Sequence, residues 1–394
     1  MKNVSFLIGS GFSVPADFPT TSEINQKLKQ IDASEICIHT NGDAWFLKND
    51  NDPNSDWMRV EERKFIQEFI EFYCGNVLKP PEDFHYEHFY DYYHEYLENH
   101  NYPTDLAHFF RNFIEKYNLE KKPSDLLFDF NMSYNQLIAH LLEKPFEKCH
   151  LAKPYHPRCD RFLNLVESLS RQFIVNFHSL NHDLYLEYLA YSDSMHANLG
   201  DGFEEFGSPY YGELLTPSEI YMVRLARFTN KFVQPFRLYK LHGSIDHYWF
   251  ESKHGTDLIR LKWGLGKTDV HKEVIENGQY KYDFRPLSYY PDFLSGTTYK
   301  TRQYSKGDYY PTIFKHFEQN LNSSDFLISI GYGFGDRVIN KYITDSFLTS
   351  YSKILFIIDI KEPFTDLLKQ ENVFYIGDGV VGMDTQFILD KIGI

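Results

Sequence analysis

A doubly wound α/β fold, in which a parallel sheet carries helices on both faces, is the class this sequence predicts. Short apolar runs rich in strand formers occur at Val4 to Ile8, Phe173 to Phe177, Phe326 to Ile330 and Ile354 to Ile358. They are too short for typical helices and lack polar alternation, the pattern of strands buried on both faces. Each run is followed by a glycine or polar turn: Gly9-Ser10-Gly11, the segment from Ser179 to Asp183, Gly331-Tyr332-Gly333, and Asp359. Because these strand-to-turn units stand at both ends of the chain, a Rossmann-like core is expected from residues 1–56 and 172–394. A large helical insertion and a small antiparallel excursion complete the expectation.

The first strand runs directly into Gly9-Ser10-Gly11, a turn whose unobstructed amides suit a pyrophosphate. The competing reading is an ordinary strand-to-helix turn. From Trp57 to about Arg171 the pattern is helical, with Phe65, Phe69 and Phe72 spaced by four and three and a polar face between them. A block this long exceeds a strand-to-helix connection, so residues 57–171 are read as a helical insertion. Within it, Phe84 to Tyr96 is unusually aromatic, and His85 and His88 stand three apart with Asp91 and Glu95 continuing the face. No His-Glu-x-x-His spacing is formed, so an aromatic face packed in a core or an oligomer interface is expected rather than a metal site. A second insertion is expected over 188–237, its Asp201-Gly202-Phe203 turn overhanging the pocket.

Lys240-Leu241-His242-Gly243-Ser244 sets a histidine between an apolar strand end and a glycine turn, a position that favours chemistry over a structural role. Beyond it, His247 to Phe250, Leu258 to Trp263 and Tyr280 to Phe284 have the aromatic and β-branched content of antiparallel strands. The loop from Leu294 to Arg302 is read as solvated, with phosphate contacts from Thr297, Thr298 or Lys300 as the alternative. Asp359, at the end of the last long apolar run, suits ribose hydroxyls and, equally, a cap or turn.

Composition narrows the function classes. A formal net charge of −15 argues against general duplex-DNA binding, which needs clustered Lys and Arg. The first strand follows Met1-Lys2-Asn3 without a leader and no apolar run reaches the length of a membrane span, so a cytoplasmic protein off the membrane is expected. Cys37, Cys74, Cys149 and Cys159 form no Cys-x-x-Cys pair and are read as reduced thiols.

The first turn and the following Val14-Pro15-Ala16-Asp17-Phe18-Pro19-Thr20 resemble the opening of the sirtuins, a Gly-Ala-Gly-Ile-Ser turn leading into Pro-Asp-Phe-Arg. Gly9, Gly11, Ser13, Asp17 and Phe18 correspond; Ala16 is inserted, and Pro19 stands in place of the Arg. Asn181 and Asp183 match the family's Thr-Gln-Asn-x-Asp, with Leu180 at the Gln, and Leu241-His242-Gly243 is similar to the Leu-His-Gly that carries its base. Gly331-Tyr332-Gly333 resembles the late Gly-Thr-Ser turn, with Gly333 in the Ser position. The paired cysteines of the family's zinc ribbon are absent.

This resemblance implies NAD as the substrate, without a metal. It assigns NAD contacts to Gly9, Ser10, Gly11, Phe12, Ser13, Asp17, Phe18, Gly331 and Gly333, to which the position of Asp359 adds a ribose contact. His242 would be the base, Asn181 would orient the ribose or the attacking water, and Asp183 would position the carboxamide or ribose. Leu-Asn-His-Asp, Leu-His-Gly-Ser and Gly-Tyr-Gly-Phe-Gly-Asp look like the sirtuin-like proteins of bacterial antiphage defence. The implied activity is hydrolysis of NAD to nicotinamide and ADP-ribose in abortive infection. The alternatives are an NAD or ADP-ribose sensor and an NAD-dependent deacylase. A homo-oligomer held by the helical insertion is expected, with a separately encoded HerA-type ATPase as a further partner.

Overall fold

The structure, a computed structural model, describes residues 2–39, 43–47, 60–143, 159–190, 195, 198–215, 218–252, 255–262, 265–284, 288, 290–293, 308–363 and 365–394. Trp57, Cys149 and the loop from Leu294 to Arg302 lie outside the described residues. The chain divides into two compact units, Met1–Thr20 with Pro145–Ser288 and Tyr304–Ile394, and Thr21–Lys144 with Tyr289–Gln303.

The strands in chain order begin with β1 (Lys2–Ile8), followed by β2 (Ile36–Ile38) and β3 (Ala44–Phe46) of the second unit. The first unit resumes with β4 (Phe173–Ser179), β5 (Leu199–Gly200), β6 (Gly202–Glu204), β7 (Tyr210–Leu215), β8 (Ile220–Arg224), β9 (Ala226–Lys231) and β10 (Phe236–Lys240). Next come β11 (His247–Ser252), β12 (Gly255–Arg260), β13 (Leu265–Glu276) and β14 (Gln279–Phe284). The last three are β15 (Ser324–Ile330), β16 (Ile354–Ile358) and β17 (Val373–Ile376).

Seven of these strands form one sheet in the order β17-β16-β15-β1-β4-β10-β5, and all its pairings are parallel. The predicted doubly wound α/β class is therefore the observed one. β1 sits at the centre, and its residues from Val4 to Ile8 are buried on both faces, as an uninterrupted apolar run requires. Phe6 packs its ring 5.2 Å from Phe177 and 5.9 Å from Phe162. Each such burial contributes about 1.5–3 kcal/mol.

Phe162 marks a difference from expectation. It lies on the helix Asp160–Ser170, assigned from its pattern to the insertion, yet Phe162, Leu165, Val166 and Leu169 join the core of the parallel sheet. The apolar stripe is legible in sequence, but a stripe does not say which surface receives it. The helical unit instead takes in the helix Thr21–Lys29 at its start.

In that unit, Phe65, Phe69, Phe89, Tyr93, Phe110, Phe113, Phe130 and Tyr134 are all buried. Their rings stack edge-to-face and tilted, as in Phe69–Phe130 at 5.1 Å and Tyr93–Phe130 at 4.9 Å. The Tyr93 hydroxyl donates to Asn131 Oδ1 at 3.0 Å, so the buried polar tip is satisfied. These rings form the unit's own core. His85 caps the helix Tyr86–Asn99, its Nδ1 accepting the Glu87 N–H at 3.3 Å. Among the described residues no three His, Cys, Asp or Glu side chains come together as a metal site, and no helix is long and apolar enough to cross a membrane.

The antiparallel part is larger than expected: two four-stranded sheets, β11-β12-β9-β6 and β14-β13-β7-β8. The second insertion supplies β6 to β9, and its Asp201 pairs with Arg260 of β12. Tyr210, Phe250, Ile259, Leu265 and Val270 make a separate core there. Thus β13, too polar to be read as a strand, is held by its partners rather than by its own composition.

Candidate functional site

Parallel pairing brings the carboxyl ends of five neighbouring strands to one edge of the sheet. Ile8 is level with Ser179 and Ile330, Ser179 with Lys240, and Ile330 with Ile358. The turns after β10, β4, β1, β15 and β16 therefore stand side by side, and these are the turns that carry His242, Asn181 with Asp183, Gly9 to Ser13, Gly331 to Asp336, and Asp359. Ligands of open α/β sheets bind outside this edge, where strand order reverses.

The glycines serve a purpose different from the one expected. The Gly9 N–H donates to Ile330 O at 2.9 Å and the Gly11 N–H to Gly331 O at 3.0 Å, so these amides are engaged within the protein and do not form a phosphate cradle. A Cβ on Gly9 would lie 2.4 Å from Gly331 O, and one on Gly11 would lie 2.8 Å from Gly331 Cα. The bare backbones thus let two strand-to-helix turns interlock. Ser10 begins a three-residue 3-10 helix, Ser10–Phe12, and is exposed.

Ser13, at the end of that short helix, is buried and ties the β1 turn to the β4 turn. Its hydroxyl accepts the Asn181 Nδ2 hydrogen at 3.0 Å and also hydrogen-bonds the Asp183 carboxylate. Asp183 Oδ1 accepts the Tyr185 N–H at 2.9 Å. Burial raises the Asp183 carboxyl above its ordinary range, and the nearby Lys240 ammonium opposes that shift. Asn181 and Asp183 are thus held by a common hydroxyl, each in one orientation.

Lys240, the last residue of β10, is almost fully buried. Its Nζ donates to Asp183 O at 2.5 Å and lies 3.3 Å from Glu187. A lysine there needs an anion, because an unpaired ammonium out of water is strongly disfavoured. Burial, reinforced by Glu187, pushes Asp246 up to about 7, while Ser244 and Lys240 act in the opposite sense. His247 is held neutral by burial and by Lys240.

His242 is buried after the end of β10, and the positive φ of 79° at Gly243 makes the turn beyond it. Its Nε2 lies 3.4 Å from Asp336 Oδ2. Asp336 comes from the β15 turn, where its Oδ1 accepts the Val338 and Ile339 N–H groups at 2.8 and 3.2 Å and so caps the helix Arg337–Tyr342. One carboxylate thus serves a helix start with one oxygen and faces the imidazole with the other. The Ile245 N–H donates to His182 O at 3.0 Å, strapping the His242 turn to the Asn181 turn.

Other expected site residues are placed elsewhere. The Phe12 ring is fully buried 4.8 Å from Phe162, and Phe18 is buried 5.6 Å from Tyr185, so both side chains belong to the core and not to a ligand surface. Asp17 is exposed, with a left-handed φ of 64° at the end of a second 3-10 turn. Gly333 is exposed and has no neighbour where a Cβ would stand. Asp359 caps its own turn, Oδ1 accepting the Lys361 N–H at 3.3 Å, which is the turn alternative read from its position.

Sequence reasoning missed Lys240, Glu187, Asp246 and Asp336 as members of this cluster. Asp336 had a usable local signal, an aspartate after a glycine-rich turn and before a helix, but its approach to His242 depends on sheet order. By contrast His178 on β4, stacked 5.0 Å from Tyr239 and pushed down to about 3 by burial, is a structural histidine. A separate cleft of about 790 Å³ in the helical unit is lined by the ion-paired Lys29 and Asp83, with Asn25, Tyr73, His85 and His88.

No protein-family description and no curated relative matches this chain. Solved structures to which it is similar include a mutant Sir2 homologue in complex with 2'-O-acetyl ADP-ribose, at 10% identity and a TM-score of 0.39, covering 100% of this chain and 94% of that one. They also include Sir2Tm bound to a propionylated peptide, at 10% identity and a TM-score of 0.36 with the same coverages. A Sir2 complex with a p53 peptide and NAD+ shares 10% identity over 99% of this chain and 93% of that one, with a TM-score of 0.35.

Proposed function

We propose that this chain is an NAD hydrolase, converting NAD and water to nicotinamide, ADP-ribose and a proton. The observation that carries the reading is the set Asn181, Asp183 and His242 at the carboxyl ends of adjacent strands, with Asn181 and Asp183 sharing the Ser13 hydroxyl. Breaking the bond from nicotinamide to ribose develops an oxocarbenium-like centre. Such a reaction needs an oriented ribose and a base for a hydroxyl or water, and neither requirement calls for a metal. His242 takes the proton, and Asn181 and Asp183 hold the sugar and carboxamide. Ser10, which is exposed, is the β1-turn group assigned to the dinucleotide, rather than the engaged Gly9 and Gly11 amides.

The finer reading is an abortive-infection effector that depletes NAD, working as a homo-oligomer with a separately encoded HerA-type ATPase. Its support is the motif resemblance. The test is incubation of pure protein with NAD, with and without a chelator, and separation of the products. Nicotinamide and ADP-ribose formed equally under both conditions support hydrolysis without metal. Tight ADP-ribose binding without turnover favours the sensor, and NAD-dependent release of acyl groups from lysine peptides favours the deacylase.

Asp336 offers a sharper check. Asp336→Asn retains an oxygen for the Val338 and Ile339 amides but loses the carboxylate facing His242. We expect kcat to fall roughly tenfold to a hundredfold with an unchanged melting temperature. Asp336→Ala should add about 1 kcal/mol of destabilisation by removing the cap. Equal kcat in wild type and Asp336→Asn would show that Asp336 is only a cap.

A further inference from the structure

Seven of the fourteen large apolar side chains exposed among the described residues lie on the hairpins of the sheet β14-β13-β7-β8. Tyr280, Tyr282 and Phe284 of β14 are 74, 55 and 66% exposed, beside Ile275 at 67% on β13. The register explains why. Tyr280 is opposite Ile275, Tyr282 opposite Glu273 and Phe284 opposite His271, all on one face, whereas Tyr210 and Val270 point from the other face into the small core. Exposed aromatic clusters of this kind mark interaction surfaces.

β14 is also an edge: among the described residues it pairs only with β13. Asn277 and Gly278, with φ of 54° and 74°, form the two-residue turn that closes this hairpin on the pair Glu276 and Gln279. Hydrogen bonding alternates from that pair, so the backbone N–H and C=O of Tyr280, Tyr282 and Phe284 face away from β13. Such an edge is a template for another strand.

We infer that the occupant is β14 of a second copy of this chain, paired antiparallel about a two-fold axis at Tyr282. The sequence of the strand is complementary to its own reverse in that register. Tyr282 meets Tyr282 of the other copy, Tyr280 meets Phe284, and Lys281 meets Asp283, with the symmetric contacts repeated. Aromatic pairs then fall on one face and opposite charges on the other, the combinations that stabilise neighbouring strands. Centring the axis on Lys281 would set lysine against lysine, and centring it on Asp283 would set aspartate against aspartate, so of these three adjacent centres charge selects Tyr282. Lys281 is half exposed, 2.8 Å from Glu276, and within reach of the edge. The contact is isologous, closes at two copies, and does not depend on the proposed NAD chemistry.

Because residue 282 meets itself, the test can use one exposed position. We expect the full-length wild type at about 50 µM to sediment at twice the 46.7 kDa of the chain, in the concentration range where modest interfaces are populated. Tyr282→Lys and Tyr282→Glu should each sediment as monomers with unchanged circular dichroism. Mixed in equal amounts, they should recover a dimer whose native mass shows one of each. A monomeric wild type overturns the inference, as does a dimer that survives both substitutions or a mixture that fails to recover one.

Discussion

His242→Ala is expected to reduce kcat/KM for NAD cleavage by two to four orders of magnitude, about 3–5 kcal/mol of transition-state stabilisation, while the protein stays folded. The imidazole is buried, yet Asp336, which faces it, retains its cap on the helix Arg337–Tyr342 through the other oxygen. Asn181→Ala should give a loss of the same order. Asn181 donates to Ser13, which keeps its link to Asp183 when the amide is removed. Both side chains are assigned to one oxocarbenium-like centre, so the double variant should be little worse than the more severe single one. Rates for the three variants, with melting curves to show that each is folded, decide the matter. A His242→Ala protein that cleaves NAD within threefold of wild type would remove the histidine from the mechanism.

Gly331→Ala should be strongly destabilising for a change that adds a single methyl group. Gly331 has a φ of 65°, and a Cβ there would stand 2.4 Å from Phe12 N and 2.5 Å from Gly11 C. The left-handed conformation costs an L residue roughly 1–2 kcal/mol, and overpacking against backbone adds roughly 1–3 kcal/mol more. Neither cost can be relieved by moving a side chain, because the obstructing atoms are backbone of the interlocked β1 turn. A fall in the melting temperature of about 5–15 °C is expected at 2–4 °C per kcal/mol, or failure to accumulate as folded protein. Gly333→Ala is the control: its φ is not left-handed and no atom lies within 4 Å of the added methyl, so its melting temperature should stay within about 2 °C of wild type. Equal melting of the two variants would contradict the interlocked turns.

Much of the fold was legible because buried parallel strands announce themselves locally. Ile354–Ile358 has the expected bounds, and Val4 to Ile8, Phe173 to Phe177 and Phe326 to Ile330 are extended by only a few residues. The helix Val60–Phe72 also follows from the period of Phe65, Phe69 and Phe72. The polar strand β13 and the paired strands β7 to β9 were not legible, since an antiparallel strand in a small sheet takes its stability from its neighbours.

By itself, the sequence determined which segments become strands, which turns follow them, and which chemical groups those turns present. An apolar run of fixed period and the glycines that end it are local properties. Tertiary structure alone decided the rest. It spent the amides of Gly9 and Gly11 on the neighbouring turn, turned Phe12 and Phe18 inward, and set Asp336 behind His242. It also used most of the insertion's buried aromatic rings for an internal core and left Tyr280, Tyr282 and Phe284 of β14 exposed. The physical reason is that hydrophobic pattern states how much of a segment is buried, while sheet order and register determine what it is buried against.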